Sequence, residues 1–150
     1  MDLSTKEELI ITGIILASHG NFAVAALESI EMIAGKQENV MAFALTEDSS
    51  AEILESAIEQ GLKELQKECD QVVILCDIYG GTPFNVISKL KLRGYNFLAF
   101  TGLSLPLLID LCLSREGNYE ELENKITETH QISLTKIEPV IIDDSDDTDL

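Results

Sequence analysis

Basic residues are scarce in this chain, which has 10 Lys and Arg against 27 Asp and Glu in 150 residues, a formal net charge of −17. A surface this acidic repels phosphodiester backbones and anionic lipid headgroups. The composition therefore excludes nucleic acid and acidic membranes as partners. Long apolar runs are also absent, since no window reaches the roughly 18 apolar residues that a membrane-crossing helix needs. We accordingly expect no direct insertion into a membrane.

Cysteine is also rare: Cys69, Cys76 and Cys112 are scattered and form no Cys-x-x-Cys pair. An odd number of cysteines at such spacing is typical of reduced structural thiols rather than of a disulfide framework or a metal site. The first residues, MDLSTKEEL, lack the basic region and the apolar stretch of a signal peptide. We therefore expect a cytoplasmic protein that binds no metal.

The order of apolar segments predicts the fold class. A hydrophobic content of 45% is typical of a folded domain. Strand-like runs alternate with segments of helical spacing, which predicts an α/β fold with an open, mostly parallel sheet and helices on both faces. We expect one domain over residues 1–142 and an acidic, disordered tail over 143–150. The predicted strands are 10–17, 40–45, 72–76 and 96–100, the helices begin near residues 22, 50, 83, 106 and 119, and Met32 and Met41 are predicted core residues.

His19, one of only two histidines, follows the first predicted strand directly. The strand is apolar throughout, as in a parallel sheet buried on both faces. Open α/β sheets place their ligand crevices at the carboxyl ends of such strands. Imidazole is the side chain best suited to accept or relay a charged group near neutral pH. The residue is thus a candidate functional group, and a surface-loop histidine without a role is the alternative.

The segment CDIYGGTPFN follows the third predicted strand. Asp77 ends that strand, and Gly80 and Gly81 allow the backbone to approach a ligand closely. Thr82 is predicted to be a helix N-cap with Pro83 at the first helical position. A helix N-terminus offers unpaired N–H donors and positive dipole potential, which suit a phosphoryl group. The alternative is an ordinary strand-to-helix turn in which these side chains cap backbone groups.

The two segments are more informative together than apart. In a parallel sheet, His19 and Asp77 project from the same edge. A carboxylate that accepts a hydrogen bond from one imidazole nitrogen fixes the tautomer and leaves the other nitrogen free as a nucleophile. The combination favours a phosphoryl-accepting histidine at this edge.

The segments SHGNFAVAALESIEMIAGKQENV and CDIYGGTPFN resemble the EIIA domain of the mannose-class (mannose, fructose and sorbose) bacterial sugar phosphotransferase system. The resemblance covers residues 9 to 130. It implies that His19 accepts a phosphoryl group from the phosphocarrier HPr and passes it to the EIIB component, without a cofactor. It also implies that Asp77 orients His19 and that the Thr82 hydroxyl lies near the phosphoryl group. By position in the same motifs, the residues surrounding that group are Gly20, Gly80, Gly81, Phe84 and Asn85.

The resemblance further implies a homodimer in which a C-terminal antiparallel strand can exchange between subunits. The segment QISLTKIEPVII, residues 131–142, has the loosely alternating apolar pattern expected of that edge strand. Because an acidic tail stands where well-known members continue through an Ala/Pro-rich linker into EIIB, we expect a stand-alone EIIA. The sugar cannot be predicted from the chain, since in these systems recognition belongs to the membrane subunits.

Two other functions fit parts of the pattern. Phosphohistidine phosphatases and mutases carry an Arg-His-Gly motif after their first strand, whereas Ser18 precedes His19 here. Their pocket needs several cations and a second histidine, and this chain offers only Arg93, Arg115 and His130, the last in a polar stretch where we expect a solvated or capping role. A regulatory module with the same fold and no phosphotransfer is the remaining alternative.

Overall fold

A four-stranded parallel sheet forms the centre of the protein in the computed structural model, which describes residues 9–141. The strand order is β2-β1-β3-β4, and every pairing is parallel. Seven of the eight residues of β1 are buried, as expected for a central strand covered on both faces. The α/β class and the parallel sheet are therefore confirmed. The strands are β1 (Thr12–His19), β2 (Val40–Leu45), β3 (Gln71–Cys76) and β4 (Leu98–Phe100).

Helices cover both faces of the sheet, as predicted. Two separate hydrophobic clusters result, one under α1, α4 and α5 and the other under α2 and α3. The side chains of β1 point alternately to the two faces of the sheet and so contribute to both clusters. Ile14 and Leu16 enter the first cluster, and Ile15 and Ala17 enter the second. None of the helices within residues 9–141 is long and apolar enough to span a membrane. The helices are α1 (Phe22–Ala34), α2 (Ala51–Gln66), α3 (Gly81–Leu92), α4 (Leu105–Leu113) and α5 (Tyr119–Ser133).

The topology creates a crevice between the ends of β1 and β3. These two strands are neighbours in the sheet, but the chain leaves β1 for α1 on one face and leaves β3 for α3 on the other. Such a switch point separates the two following helices and opens a crevice at the carboxyl edge. His19 is the last residue of β1 and Asp77 follows the last residue of β3. Both therefore lie at this crevice.

Three local predictions were wrong. The spacing of Ser49 and Glu52 predicts Ser49 as the N-cap of α2, but the Ser50 hydroxyl has this role and accepts the Ile53 N–H at 3.2 Å, while Ser49 bonds within the preceding turn. The strand β4 begins at Leu98 instead of residue 96, since only three residues pair with β3. Met32 is 88% exposed, because the buried stripe of α1 passes through Ala23, Ala26 and Ile30.

The C-terminal segment also departs from prediction. Helix α5 starts with a capping box of Asn118 and Glu121 and runs to Ser133, whereas its helical spacing predicts an end at Thr129. Residues 134–141 then have no regular secondary structure, so the predicted antiparallel edge strand is not formed within the described chain. A strand needs a neighbour to satisfy its backbone N–H and C=O groups, and none of the four strands pairs with this segment. The predicted acidic tail lies outside the described residues.

Candidate functional site

His19 and Asp77 form the central pair of the crevice. The ring Nδ1 of His19 lies 2.8 Å from Asp77 Oδ2, and the same oxygen accepts the His19 main-chain N–H at 2.9 Å. Asp77 Oδ1 accepts the Ile78 N–H at 3.0 Å. The carboxylate is mostly buried, with 11% of its side chain exposed, whereas 46% of the His19 side chain is exposed. The pair therefore points an exposed imidazole outward from a fixed carboxylate.

The hydrogen bonds keep Asp77 ionised. Burial, the largest single influence, raises the pKa of this carboxyl group, but the hydrogen bonds from the His19 backbone, the His19 ring and the Ile78 backbone together outweigh it. The pKa of Asp77 is consequently lowered from its ordinary value. An ionised carboxylate accepts a hydrogen bond and cannot donate one. Nδ1 of a neutral His19 is thus the protonated nitrogen, which leaves Nε2 with a free lone pair.

The start of α3 lies against that free nitrogen. A Cβ placed on Gly81 would be 3.1 Å from Cε1 and 3.2 Å from Nε2 of His19, and Gly81 has a φ of +84°. Gly80 is the N-cap, and no side chain caps the first turn. Thr82 is therefore inside the helix instead of being its N-cap, which corrects the sequence-based assignment, because the two glycines with positive φ complete the turn two residues earlier.

An uncapped helix start beside a nucleophile has a specific electrostatic consequence. In α2, α4 and α5 the side chains of Ser50, Ser104 and Asn118 accept a first-turn N–H. The corresponding N–H groups of α3 have no such side-chain partner. Free N–H groups and the positive end of a helix dipole stabilise an anion. The geometry can therefore accommodate a phosphoryl group carried on Nε2.

The other predicted site residues lie at varying positions around the pair. Gly20 forms the turn after His19 and donates its N–H to Leu45 O at 2.7 Å. Phe84 is half-buried, and Asn85 is exposed on the side of α3 that faces α2, where it lines a cavity of about 100 Å³. The second histidine, His130, borders a cavity at the loop after β4 and makes no hydrogen bond to the central pair.

Two residues near the pair were not predicted as site residues. Tyr79 is 81% exposed, and its ring centroid lies 4.6 Å from that of Phe84. Ser18 is completely buried, and its hydroxyl accepts the Ala23 N–H at 2.8 Å. The exposed aromatic residue could have been suspected from its place inside the CDIYGGTPFN segment. The serine carried no such signal, because its bond to a residue five positions later depends on the shape of the turn.

Among the described residues, neither arginine side chains nor a cluster of metal ligands, as other phosphoryl enzymes use, lies beside the central pair. Arg93 pairs with Glu59 at 2.5 Å, and Arg115 donates to Thr12 O and Glu38 O beside the first residue of β1, at the opposite edge of the sheet. Across residues 9–141, no group of three or more His, Cys, Asp or Glu side chains is arranged to hold a metal ion. The candidate site therefore consists of an imidazole, a carboxylate and backbone N–H groups.

The neighbouring thiol does not compete with His19 as a nucleophile. Cys76 is buried directly before Asp77, and burial together with the Asp77 charge raises the pKa of its thiol to about 11. The thiolate, which is the reactive form, is thus scarce at neutral pH. Of these two side chains, the His19 imidazole is therefore the better candidate nucleophile.

Comparison with known proteins identifies the family of the chain. The sequence model of a family described as "PTS system fructose IIA component", EIIA-man, matches residues 13–128. The chain belongs to the mannose-class EIIA family. It is therefore a component of a sugar phosphotransferase system, and the predicted resemblance is confirmed.

Individual EIIA relatives match most of the chain. The fructose-specific EIIA component of Bacillus subtilis (strain 168) is 31% identical over 103 residues, which cover 69% of this chain and 70% of that protein. The mannose-specific EIIAB component of Escherichia coli (strain K12) is 28% identical over 131 residues, or 85% of this chain, but only 40% of that longer protein is covered. The match to the second relative therefore concerns only part of it.

Solved EIIA structures have the same fold. The EIIA component from Streptococcus agalactiae superposes with a TM-score of 0.76 at 28% identity, covering 84% of this chain and 97% of that one. The IIA protein associated with the fucose utilization operon of Streptococcus pneumoniae gives a TM-score of 0.75 at 32% identity, covering 85% and 93%. A sigma-54 interaction domain protein from Enterococcus faecalis, at 12% identity and a TM-score of 0.67, is similar in fold alone.

Proposed function

We propose that His19 accepts a phosphoryl group from phospho-HPr on Nε2 and donates it to an EIIB component. The observation that carries the proposal is the 2.8 Å hydrogen bond between Nδ1 and Asp77, which leaves Nε2 free beside the uncapped start of α3. In the transfer, the Nε2 lone pair forms a bond to phosphorus while the N–P bond of the donor breaks. The electron pair of that bond returns to the donor imidazole, and the same exchange in reverse delivers the group to EIIB.

Asp77 has a defined part in this reaction. His19 becomes an imidazolium-like ring as Nε2 bonds to phosphorus, so its Nδ1–H becomes more positive and its hydrogen bond to the carboxylate strengthens. An interaction that is stronger in the transition state than in the ground state accelerates the step. The second bond from the His19 backbone to the same oxygen holds the carboxylate in place without any reorganisation. The proposed role of Asp77 is therefore orientation and charge stabilisation.

The phosphoryl oxygens require donors of their own. We assign this role to the backbone N–H groups at the start of α3 and to the Thr82 hydroxyl in its first turn, with Gly81 providing the space next to Nε2. Phosphoryl oxygens are strong acceptors, and helix N-termini are a common site for them. The phosphatase and mutase alternative is weaker, because Arg93 and Arg115 are occupied away from this crevice.

The surface around His19 supports transfer between proteins. Tyr79, Ile78 and Phe22 are 81%, 55% and 49% exposed and surround the crevice with apolar area. Exposed aromatic and aliphatic side chains around a functional group are typical of a protein interface. Docking of HPr and then EIIB on this surface would bring their histidines to Nε2. The relay would take place in the cytoplasm, where the sequence predicts the chain to lie.

A homodimer remains part of the proposal. The strand β4 is an edge of the sheet within the described chain, and an open edge is available to pair with another strand. Residues 134–141 supply exposed apolar side chains within the described chain, since Leu134, Ile137 and Ile141 are 94%, 94% and 99% exposed. We propose that this segment pairs with a sheet edge of a second subunit. Deletion after Thr129 should then convert a dimer into a monomer in sedimentation velocity, and a full-length protein that sediments as a monomer at micromolar concentration would exclude the dimer.

Reconstitution tests the relay. The chain is incubated with phosphoenolpyruvate, enzyme I and HPr, and we expect one acid-labile phosphoryl group per chain. His19→Ala should abolish the labelling and His130→Ala, a matched loss of the other histidine, should not. Release of the label on addition of an EIIB component completes the test. Labelling that persists without His19 would refute the assignment.

A further inference from the structure

Ser18 connects the two sides of the turn that carries His19. Its side chain is fully buried, at 0% exposure. The hydroxyl donates to Gly20 O at 3.2 Å and accepts the Ala23 N–H, in the first turn of α1, at 2.8 Å. One oxygen therefore ties the end of β1, the turn and the start of α1 together.

Strand geometry prevents Ser18 from contacting the reacting atoms. Successive residues of a strand point to opposite faces, so Ser18 faces α1 while His19 faces the start of α3. Any effect of Ser18 on the imidazole must pass through the backbone. The backbone is well placed to transmit it, since Asp77 Oδ2 accepts both the main-chain N–H and the ring nitrogen of His19.

We propose that Ser18 is a positioning residue for phosphoryl transfer: its hydroxyl fixes the His19 backbone so that a single carboxylate oxygen can hold the ring. The inference rests on the proposed function of His19. The turn has a second anchor, the bond from the Gly20 N–H to Leu45 O, which lies on the β2 side. The hydroxyl supplies the anchor on the α1 side. Without it, the Gly20 carbonyl and the Ala23 amide lose their partner and the turn gains freedom.

Loss of the Ser18 hydroxyl should disturb the orientation of the His19 imidazole but have little effect on the docking of phospho-HPr. In Ser18→Ala we expect kcat for transfer from phospho-HPr to fall about three- to tenfold, the equivalent of one neutral hydrogen bond. The KM for phospho-HPr should stay unchanged, because the exposed surface around Tyr79 and Phe22 is not altered. The unphosphorylated chain should also show the change, since a ring that leaves Asp77 populates both neutral tautomers.

Ser50→Ala is the matched control. The Ser50 hydroxyl also accepts one first-turn N–H, that of Ile53 at 3.2 Å, and it caps α2 at the same edge of the sheet. Both variants lose one hydroxyl-to-amide bond, but Ser18→Ala also loses the bond to Gly20 O at a fully buried position, so its urea unfolding midpoint should fall further. Only Ser18→Ala should lower kcat and move the imidazole ¹⁵N shifts of His19 away from the pure Nδ1–H pattern.

The outcomes distinguish a failure of the Ser18 proposal from a failure of the proposed function of His19. Equal kcat in wild type and Ser18→Ala, with unchanged ¹⁵N shifts, overturns the proposal, and so does an equal loss of rate in Ser18→Ala and Ser50→Ala. If Ser18→Ala does not fold, the nearly isosteric Ser18→Cys, whose sulfur is a weak acceptor, provides the same comparison. The ¹⁵N measurement needs no phosphoryl transfer, so it tests Ser18 even if wild-type His19 fails to take a phosphoryl group.

Discussion

Replacement of Gly81 by alanine tests the contact between α3 and the imidazole. The new methyl carbon would lie 3.1 Å from Cε1 and 3.2 Å from Nε2 of His19. These distances are shorter than an ordinary van der Waals contact, so the ring has to shift by a few tenths of an ångström. The shift weakens the 2.8 Å hydrogen bond between His19 Nδ1 and Asp77 Oδ2. The methyl group also occupies space that the phosphoryl group needs.

The expected rate loss follows from that bond. A hydrogen bond to a charged group contributes about 1.5–3 kcal/mol. Loss of half of it slows transfer about four- to twelvefold, since each 1.4 kcal/mol is a factor of about ten. The steric effect beside Nε2 adds to this. We therefore expect Gly81→Ala to transfer at least about fivefold more slowly than wild type, measured by rapid-quench labelling from ³²P-phospho-HPr.

Gly80→Ala is the control, because Gly80 also has a positive φ, +76° against +84° for Gly81, but a Cβ there meets nothing within 4 Å. Both variants place a side chain at a positive φ that L residues rarely adopt, so both should lower the urea midpoint. If Gly81→Ala transfers as fast as Gly80→Ala, the close approach of α3 to the ring has no part in the reaction and the reasoning fails.

Three further predictions concern the carboxylate and the thiol beside it. Asp77→Asn should slow transfer by at least about tenfold with the fold intact, since a hydrogen bond to a charged acceptor contributes about 1.5–3 kcal/mol. Single-turnover labelling measures the rate and circular dichroism checks the fold. A wild-type rate in this variant would exclude the proposed role of Asp77. Because the pKa of Asp77 in the folded protein lies below its ordinary value of 3.8, its contribution to stability is complete above that value and is lost as the pH falls through the lowered one. The difference in unfolding free energy between wild type and Asp77→Asn, from urea titrations at pH 7 and pH 2.5, should therefore shrink at the lower pH, and a constant difference would contradict it. Cys76, with a thiol pKa of about 11, should react with iodoacetamide at pH 7.5 only after unfolding; rapid alkylation of the native protein, followed by mass spectrometry, would be the opposite result.

The central pair could be predicted because strand patterns are local. The apolar runs that end at His19 and Asp77 require only burial on both faces. Once the two strands are parallel, topology brings their ends to one edge. The family resemblance implies the roles, and the 2.8 Å separation of Nδ1 and Oδ2 is known only from the structure.

The start of α3 could not be assigned correctly from composition. Thr82 followed by Pro83 is a common beginning of a helix, and the pattern alone favours a threonine N-cap. In the structure, Gly80 and Gly81 take φ values of +76° and +84°, so the turn closes two residues earlier, with Gly80 as the N-cap. Backbone conformations open only to glycine permit this turn, but the sequence does not reveal which glycines use them.

The C-terminal segment and Ser18 depend on non-local structure. An alternating pattern over residues 131–142 predicts a strand, yet a strand forms only with a neighbour, and residues 134–141 have none within the described chain. Ser18 and Ala23 are five residues apart, a spacing that belongs to no recurrent capping motif. Their contact exists because the turn at Gly20 folds back on the end of β1.

Direct identification of the phosphorylated nitrogen tests the central claim. The ¹⁵N-labelled chain is phosphorylated with phosphoenolpyruvate, enzyme I and HPr, and long-range ¹H–¹⁵N spectra of its two histidines are recorded at alkaline pH. We predict phosphorus coupling to Nε2 of His19 and none to its Nδ1. Phosphorus coupling on Nδ1 of His19, on His130, or on neither histidine would contradict the account.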